Sequence, residues 1–225
     1  MNCSLNASIA GPCSDLGCLQ VAYPNIEILP SPVGDLTKCL GPAERPGIKN
    51  AVEQRQREYA TGRWLARKGF ARLGIEGFEL LAGAYREPLW PAGIVGSITH
   101  SRQNALVAVA RRSDYCSVGV DMEQKGRIEP ELVAKLLTAR ERQVYREMDP
   151  TLLFSAKESI HKLMFPMFRR YLDFLAVEIE LDMKGRRFWP RFERHPDISA
   201  GLSGLHGRFL AHQGHWLTFA ALTKD

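Results

Sequence analysis

Long apolar runs are missing. Nowhere in the 225 residues does an uncharged apolar stretch approach the roughly 20 residues that a bilayer-spanning helix needs. The opening MNCSLNASIAG has no Lys/Arg cluster ahead of an apolar segment, so no secretory leader is expected. Cysteine is sparse. Cys3, Cys13, Cys18, Cys39 and Cys116 are odd in number and include no C-x-x-C pair, which argues for a reducing compartment. Four of the five precede Leu40, yet their spacings do not match zinc-knuckle ligands, and no role is assigned to them. Basic blocks are absent too: the net charge is +5 and the pI near 9.0, but no five basic residues are consecutive. The charge therefore points to an anionic small molecule or an acidic protein surface. Nucleic acid is disfavoured as a partner, because no recognised binding motif accompanies the charge. A soluble, cytoplasmic chain without a membrane span is the expectation.

Hydrophobic residues at 45% and charged residues at 24% are ordinary for a globular protein, and the length allows one large domain or two small ones. Residues 1–47 are rich in Pro, Gly, Ser and Asn, with one strand expected between the prolines of QVAYPNIEILPSPVG. From Asn50 to Leu73 apolar residues recur at helical spacing, with Asn50 as N-cap and Gly74 as stop. The other face carries Arg55, Arg57, Arg63, Arg67 and Lys68, which reads most simply as a solvated surface. Ala105–Ala110 and the following SVGVDMEQ read as strands joined in a hairpin across Ser113–Asp114. Residues 130–147 and 150–165 read as helices, the second opened by Asp149–Pro150. Four strands are expected after Asp173, and no clear internal repeat is present.

Three short stretches carry the chemistry. In SVGVDMEQ, Asp121 and Glu123 alternate with apolar residues, which puts both carboxylates on one face of a strand. Carboxylates are poor strand formers, so either a solvent-facing strand end or a bound cation is needed to hold them there. In FSAKESIHKLMFP, Glu158 and Lys162 are four apart and share a helix face, the spacing of a surface ion pair. Ser155 and Glu158 also have capping-box spacing, but the helix begins upstream. Asp121, Glu123 and Glu158 together could converge on one hard cation, Mg²⁺ or Mn²⁺. In SITHS, His100 between two hydroxyl residues could bind a phosphate, although a lone His is commonly structural.

With QREYATGRWLAR and REPLWPAGIVGSITHS ahead of VGVDME and FSAKESIHKLMFPMFRRYLDF, the chain resembles the 4′-phosphopantetheinyl transferases of the surfactin-synthetase type, in their enterobactin-synthetase-like bacterial branch. The four stretches keep the family's order and span roughly residues 50–175, while residues 1–47 and the C-terminal strands match only loosely. The resemblance implies an α+β fold of two similar-sized, pseudo-duplicated halves with the active site in the cleft between them. Residues 1–115 would form the coenzyme A-binding half and residues 116–225 the metal-binding, catalytic half. It implies transfer of the phosphopantetheine arm from coenzyme A to a serine of an apo acyl or peptidyl carrier protein, with release of 3′,5′-ADP. The pathway could be siderophore, nonribosomal-peptide, polyketide or fatty-acid synthesis.

By the same resemblance, Asp121, Glu123 and Glu158 bind Mg²⁺ (Mn²⁺ is possible) with the pyrophosphate, and Lys162 contacts the phosphate and assists the leaving group. Arg55, Arg63, Arg86, Thr99 and His100 grip the nucleotide and its 3′-phosphate. Glu158 is the candidate base, directly or through a water on the cation. Independently of the resemblance, carrier docking is expected on Gly126–Tyr145, with Leu132 and Leu136 in contact, because the segment follows the metal strand and mixes Arg with apolar residues; the alternative for this segment is an ordinary amphipathic helix facing its own core. The enzyme is expected to be a monomer. A non-catalytic module that holds coenzyme A or a carrier is the alternative.

Overall fold

The computed structural model describes residues 16–224. The chain divides into two compact units, Met1–Asp114 and Tyr115–Asp225, each with its own antiparallel sheet. The mixture of helices and antiparallel strands is the α+β class that the sequence implies. Cys3 and Cys13, on which the zinc reading partly rested, lie outside the described residues; Cys18 and Cys116 are free thiols.

The first unit contains α1 (Leu16–Ala22), β1 (Ile26–Pro32), α2 (Glu53–Arg72), β2 (Ile94–His100) and β3 (Asn104–Arg111). Its sheet has the order β1-β3-β2. The apolar run Ala105–Ala110 takes the centre and is buried throughout, as a strand covered on both faces must be. Pro30 and Pro32 sit in β1, at an edge, where a missing amide hydrogen is tolerated. Helix α2 lays Leu65, Ala66 and Phe70 against Leu29, Ile94, Val107 and Val109.

Two expectations need correction here. The N-cap of α2 is Val52 rather than Asn50. The basic face of α2 is not uniformly solvated. Arg67 reaches the buried Glu44 carboxylate at 2.6 Å, and Arg63 is itself buried. Internal acceptors compete successfully with water for these two guanidinium groups.

The second unit contains β4 (Tyr115–Gln124), α3 (Pro130–Leu136), α4 (Ala139–Val144), α5 (Pro150–Phe168), β5 (Glu178–Asp182), β6 (Arg187–Arg191), α6 (Pro196–Gly201), β7 (Gly207–His212) and β8 (His215–Thr223). Its sheet order is β4-β8-β7-β6-β5. The hairpin expected between β3 and β4 does not form: β3 pairs with β1 and β2, and β4 pairs with β8. The helix expected over 130–147 is two helices. Leu137 is extended (φ −115°, ψ 136°), and Thr138 starts α4 with a capping box to Glu141. Helix α5 is longer than expected, running past Pro166 to Arg169, which closes it in the left-handed region at φ 53°. It buries Ile160, Leu163 and Met164 among Ile179, Phe188 and Phe209.

Candidate functional site

The alternation of β4 sends Ser117, Gly119, Asp121 and Glu123 to one face. That face meets α5. Ser117 Oγ donates to Leu163 O at 2.6 Å, and a methyl group on Gly119 would lie 1.9 Å from Ser159 O. Glycine therefore lets the helix backbone press onto the strand. Further along the same contact, Ser155 Oγ donates to Asp121 Oδ2 (2.9 Å), and Lys162 Nζ donates to Asp121 Oδ1 (2.6 Å) and to Val120 O (3.1 Å). Lys162 is thus engaged with the strand, not held as a surface partner of Glu158. Glu123 is ion-paired to Arg127.

The three carboxyl groups act on one another electrostatically. Burial pushes the Glu158 carboxyl up; Lys162 opposes that, while Asp121 and Glu123 add to it. Burial also raises Glu123, the Asp121 charge raises it further, and Arg127 opposes both. Asp121 itself is 3% exposed. Arg127 is drawn to all three, with Glu123 its main partner. Two half-buried acids with raised pKa beside the buried Asp121 carboxylate form a concentration of acidic groups that Lys162 and Arg127 offset only in part.

A second polar group lies in the first unit. Arg55 contacts His100 Nε2, and His100 Nδ1 is 3.3 Å from Glu58 Oε2. Arginine has only donors, so Nε2 accepts and the ring proton sits on Nδ1, facing Glu58. Gln54 Nε2 donates to Glu58 Oε1 at 3.0 Å and to Arg102 O at 2.9 Å, which fixes the carboxylate beneath the pair. Arg63 stacks 3.7 Å over the Tyr59 ring and donates to Leu80 O. Burial holds its guanidinium below the usual range, and repulsion from Arg55 adds to that. Thr99 is buried on the face of β2 opposite His100, so the strand separates these two candidates. Arg86 is exposed, in a turn where it adopts φ 65°.

Sequence reasoning did not place Glu58, Gln54, Arg127 or Thr218 in these polar groups, and it weighed Ser155 only as a helix cap. Glu58 was accessible from its i,i+3 spacing to Arg55. Thr218, opposite Asp121 in the β4–β8 register and 3.0 Å from Ser155 Oγ, depends on strand pairing that no local pattern encodes.

Among the described residues, no group of three His, Cys, Asp or Glu side chains stands in metal-ligating geometry. The donor set nevertheless suits a hard divalent cation. The ligands would be carboxylate oxygens, and burial with mutual repulsion leaves negative charge that such an ion would relieve.

Two family models together match most of the chain. The family model of the 4′-phosphopantetheinyl transferase N-terminal domain matches residues 43–110, and that of the 4′-phosphopantetheinyl transferase superfamily matches residues 117–220. The 4′-phosphopantetheinyl transferase Svp of Streptomyces mobaraensis is 35% identical, over 84% of this chain and 80% of its own. The 4′-phosphopantetheinyl transferase PptT of Mycobacterium tuberculosis is 33% identical, over 80% of this chain and 85% of its own. Enterobactin synthase component D of Salmonella typhi is 32% identical over about half of each chain, 51% here and 50% there.

Proposed function

The chain belongs to the 4′-phosphopantetheinyl transferase superfamily and transfers the phosphopantetheine arm of coenzyme A to apo carrier proteins; from that premise we propose how its residues divide the work. Asp121, Glu123 and Glu158 are the ligands of a divalent cation, Mg²⁺ or Mn²⁺. When bound, such an ion supplies charge neutralisation for the coenzyme A pyrophosphate. Lys162, held at 2.6 Å from Asp121 Oδ1, puts a second positive charge beside the diphosphate and steadies the departing 3′,5′-ADP. In the first unit, Arg55, His100 and Arg86 are the proposed nucleotide and 3′-phosphate contacts, whereas Thr99 faces the other side of β2 and Arg63 is buried against Tyr59 and Leu80. Arg55 and His100 are foremost, since they already touch.

The reaction forms one P–O bond and breaks another. The carrier serine oxygen attacks the β-phosphorus, and 3′,5′-ADP leaves with the electron pair of the diphosphate bridge. Glu158 accepts the serine proton. A carboxylate beside a cation is held ionised and is a weak base, so the proton passes to Glu158 either directly or through an intervening water. The observation that carries this reading is the packing of α5 on the Asp121–Glu123 face of β4, with Glu158 and Lys162 at the same contact. We further propose a cytoplasmic monomer serving siderophore, nonribosomal-peptide, polyketide or fatty-acid carriers. Among the described residues no helix is long and apolar enough to cross a membrane.

The test is mass spectrometry of an apo carrier incubated with this chain, coenzyme A and Mg²⁺, with and without EDTA. The expected result is a gain of about 340 Da that EDTA removes. A gain indifferent to EDTA would overturn the cation assignment. Glu158→Gln is expected to lower kcat by about 10²-fold or more while coenzyme A binding falls far less. Equal losses of binding and rate would leave Glu158 a ligand only.

A further inference from the structure

One residue before Glu158, the Lys157 ammonium is enclosed in the core. Its side chain and that of its partner Glu141 are each 1% exposed, with Nζ 2.7 Å from Glu141 Oε2. Lys157 has three donors and all three are used, the other two going to Leu136 O (2.9 Å) and Phe174 O (2.8 Å). Glu141 is equally occupied. Besides Lys157 it accepts from Thr138 N (2.7 Å) and from Ile179 N at the start of β5 (2.7 Å). One ion pair thus joins α5 to the end of α3, the start of α4, the turn before β5 and β5 itself.

Helix α3 depends on this junction more than the others do. It has seven residues, none fully buried, and only Val133 and Leu136 touch the margin of the core. Its last carbonyl, Leu136 O, is the group that Lys157 holds. A buried ion pair is a poor source of net stability, because apolar residues of similar volume commonly do as well. What it adds is a directional, fully satisfied geometry that apolar contacts lack.

We propose that Lys157 and Glu141 are positioning residues for carrier recognition, fixing α3 so that Leu132, 41% exposed, is presented to the incoming carrier protein. The inference rests on the docking segment Gly126–Tyr145 being the carrier surface. Helix α5 has independent anchors on β4, through Ser117 with Leu163 and Ser155 with Asp121. Release of the pair therefore loosens α3 and leaves Glu158 and Lys162 in place.

The test replaces both charges together, Lys157→Met with Glu141→Gln, so that no unpaired charge is left buried. The expected result is a rise of about tenfold or more in KM for the apo carrier, with kcat at saturating carrier and the coenzyme A Kd within about threefold of the parent. A merely structural defect would lower kcat and coenzyme A binding together, and that outcome, like an unchanged carrier KM, overturns the proposal. Leu132→Asp separates the two ideas. If it leaves the carrier KM unchanged, the docking surface itself is wrong. If it raises KM while the double variant does not, the clamp alone is wrong. Should the double variant not fold, amide hydrogen exchange on the parent decides. The Leu137 amide, bonded to Val133 O, is expected to exchange as slowly as the amides of α5, and exchange at the rate of an exposed loop overturns the clamp.

Discussion

At the scale of single residues, the placement of Glu158 depends on an atom that is not there. Any side chain at 119 would put its Cβ 1.9 Å from Ser159 O and 2.9 Å from Leu163 backbone and side-chain atoms. Both obstacles belong to the body of α5, so neither can swing aside as a flexible chain end would. Gly119→Ala must therefore move the helix off the strand, at a cost of about 3 kcal/mol or more. Chemical denaturation should show that loss, and transfer activity should fall with it; a variant within about 0.5 kcal/mol of the parent would mean that the helix does not need this contact. The alternation of Asp121 and Glu123 was legible because the period of a strand is local. The partner of Lys162 was not. Its i,i+4 spacing to Glu158 suggested a pair within the helix, whereas the strand offers Asp121 Oδ1 and Val120 O together. Two acceptors on a neighbouring element outcompete one on the same helix.

At the scale of elements, the start of α5 is a junction. Asp149 accepts from Thr151 N and Gly126 N, each at 3.0 Å, and from Trp216 Nε1 at 2.8 Å, so one carboxylate joins the helix, the turn after β4 and strand β8. Burial opposes its ionisation, but these hydrogen bonds outweigh that and hold the carboxyl below its ordinary value of 3.8. A depressed carboxyl stabilises the fold fully above the unfolded value and loses that contribution as pH falls through the folded one. Asp149→Ala should therefore cost about 1–2 kcal/mol at neutral pH. The gap to the parent should narrow as pH drops below 3.8, as denaturant midpoints at several pH values would show. A gap that stays constant through that range would show that the charged form contributes nothing.

The Asp149–Pro150 start was readable from local cap chemistry, and so was the existence of α2. The break between α3 and α4 was readable in principle from the Thr138–Glu141 box, but the apolar spacing across it suggested one continuous helix. The false hairpin between β3 and β4 arose from a short polar turn that joins strands of different sheets. A turn sequence fixes where the chain bends, and distant strands compete to decide what it pairs with.

At the scale of the whole molecule, the net charge of +5 is an excess spread over many paired groups. Arg57, Arg72, Arg127, Arg140, Arg170 and Arg191 all have carboxylate partners within their own unit. Composition could show that excess and suggest an anionic partner, but it could not show which arginines are spent internally. What remains acts at long range as a positive field, and it should draw in an acidic carrier faster than contact alone would. Such a field is screened over about 8–10 Å at physiological salt. Raising NaCl from about 50 to about 300 mM should therefore increase the carrier KM about threefold to tenfold, with little change in kcat. Within the same titration Leu132→Asp should keep the salt slope and shift the whole curve to weaker binding, because an apolar contact is lost and one negative charge changes the field only slightly. A flat carrier KM in the parent would mean that docking is governed by short-range apolar contact at α3, and that the basic excess serves coenzyme A alone.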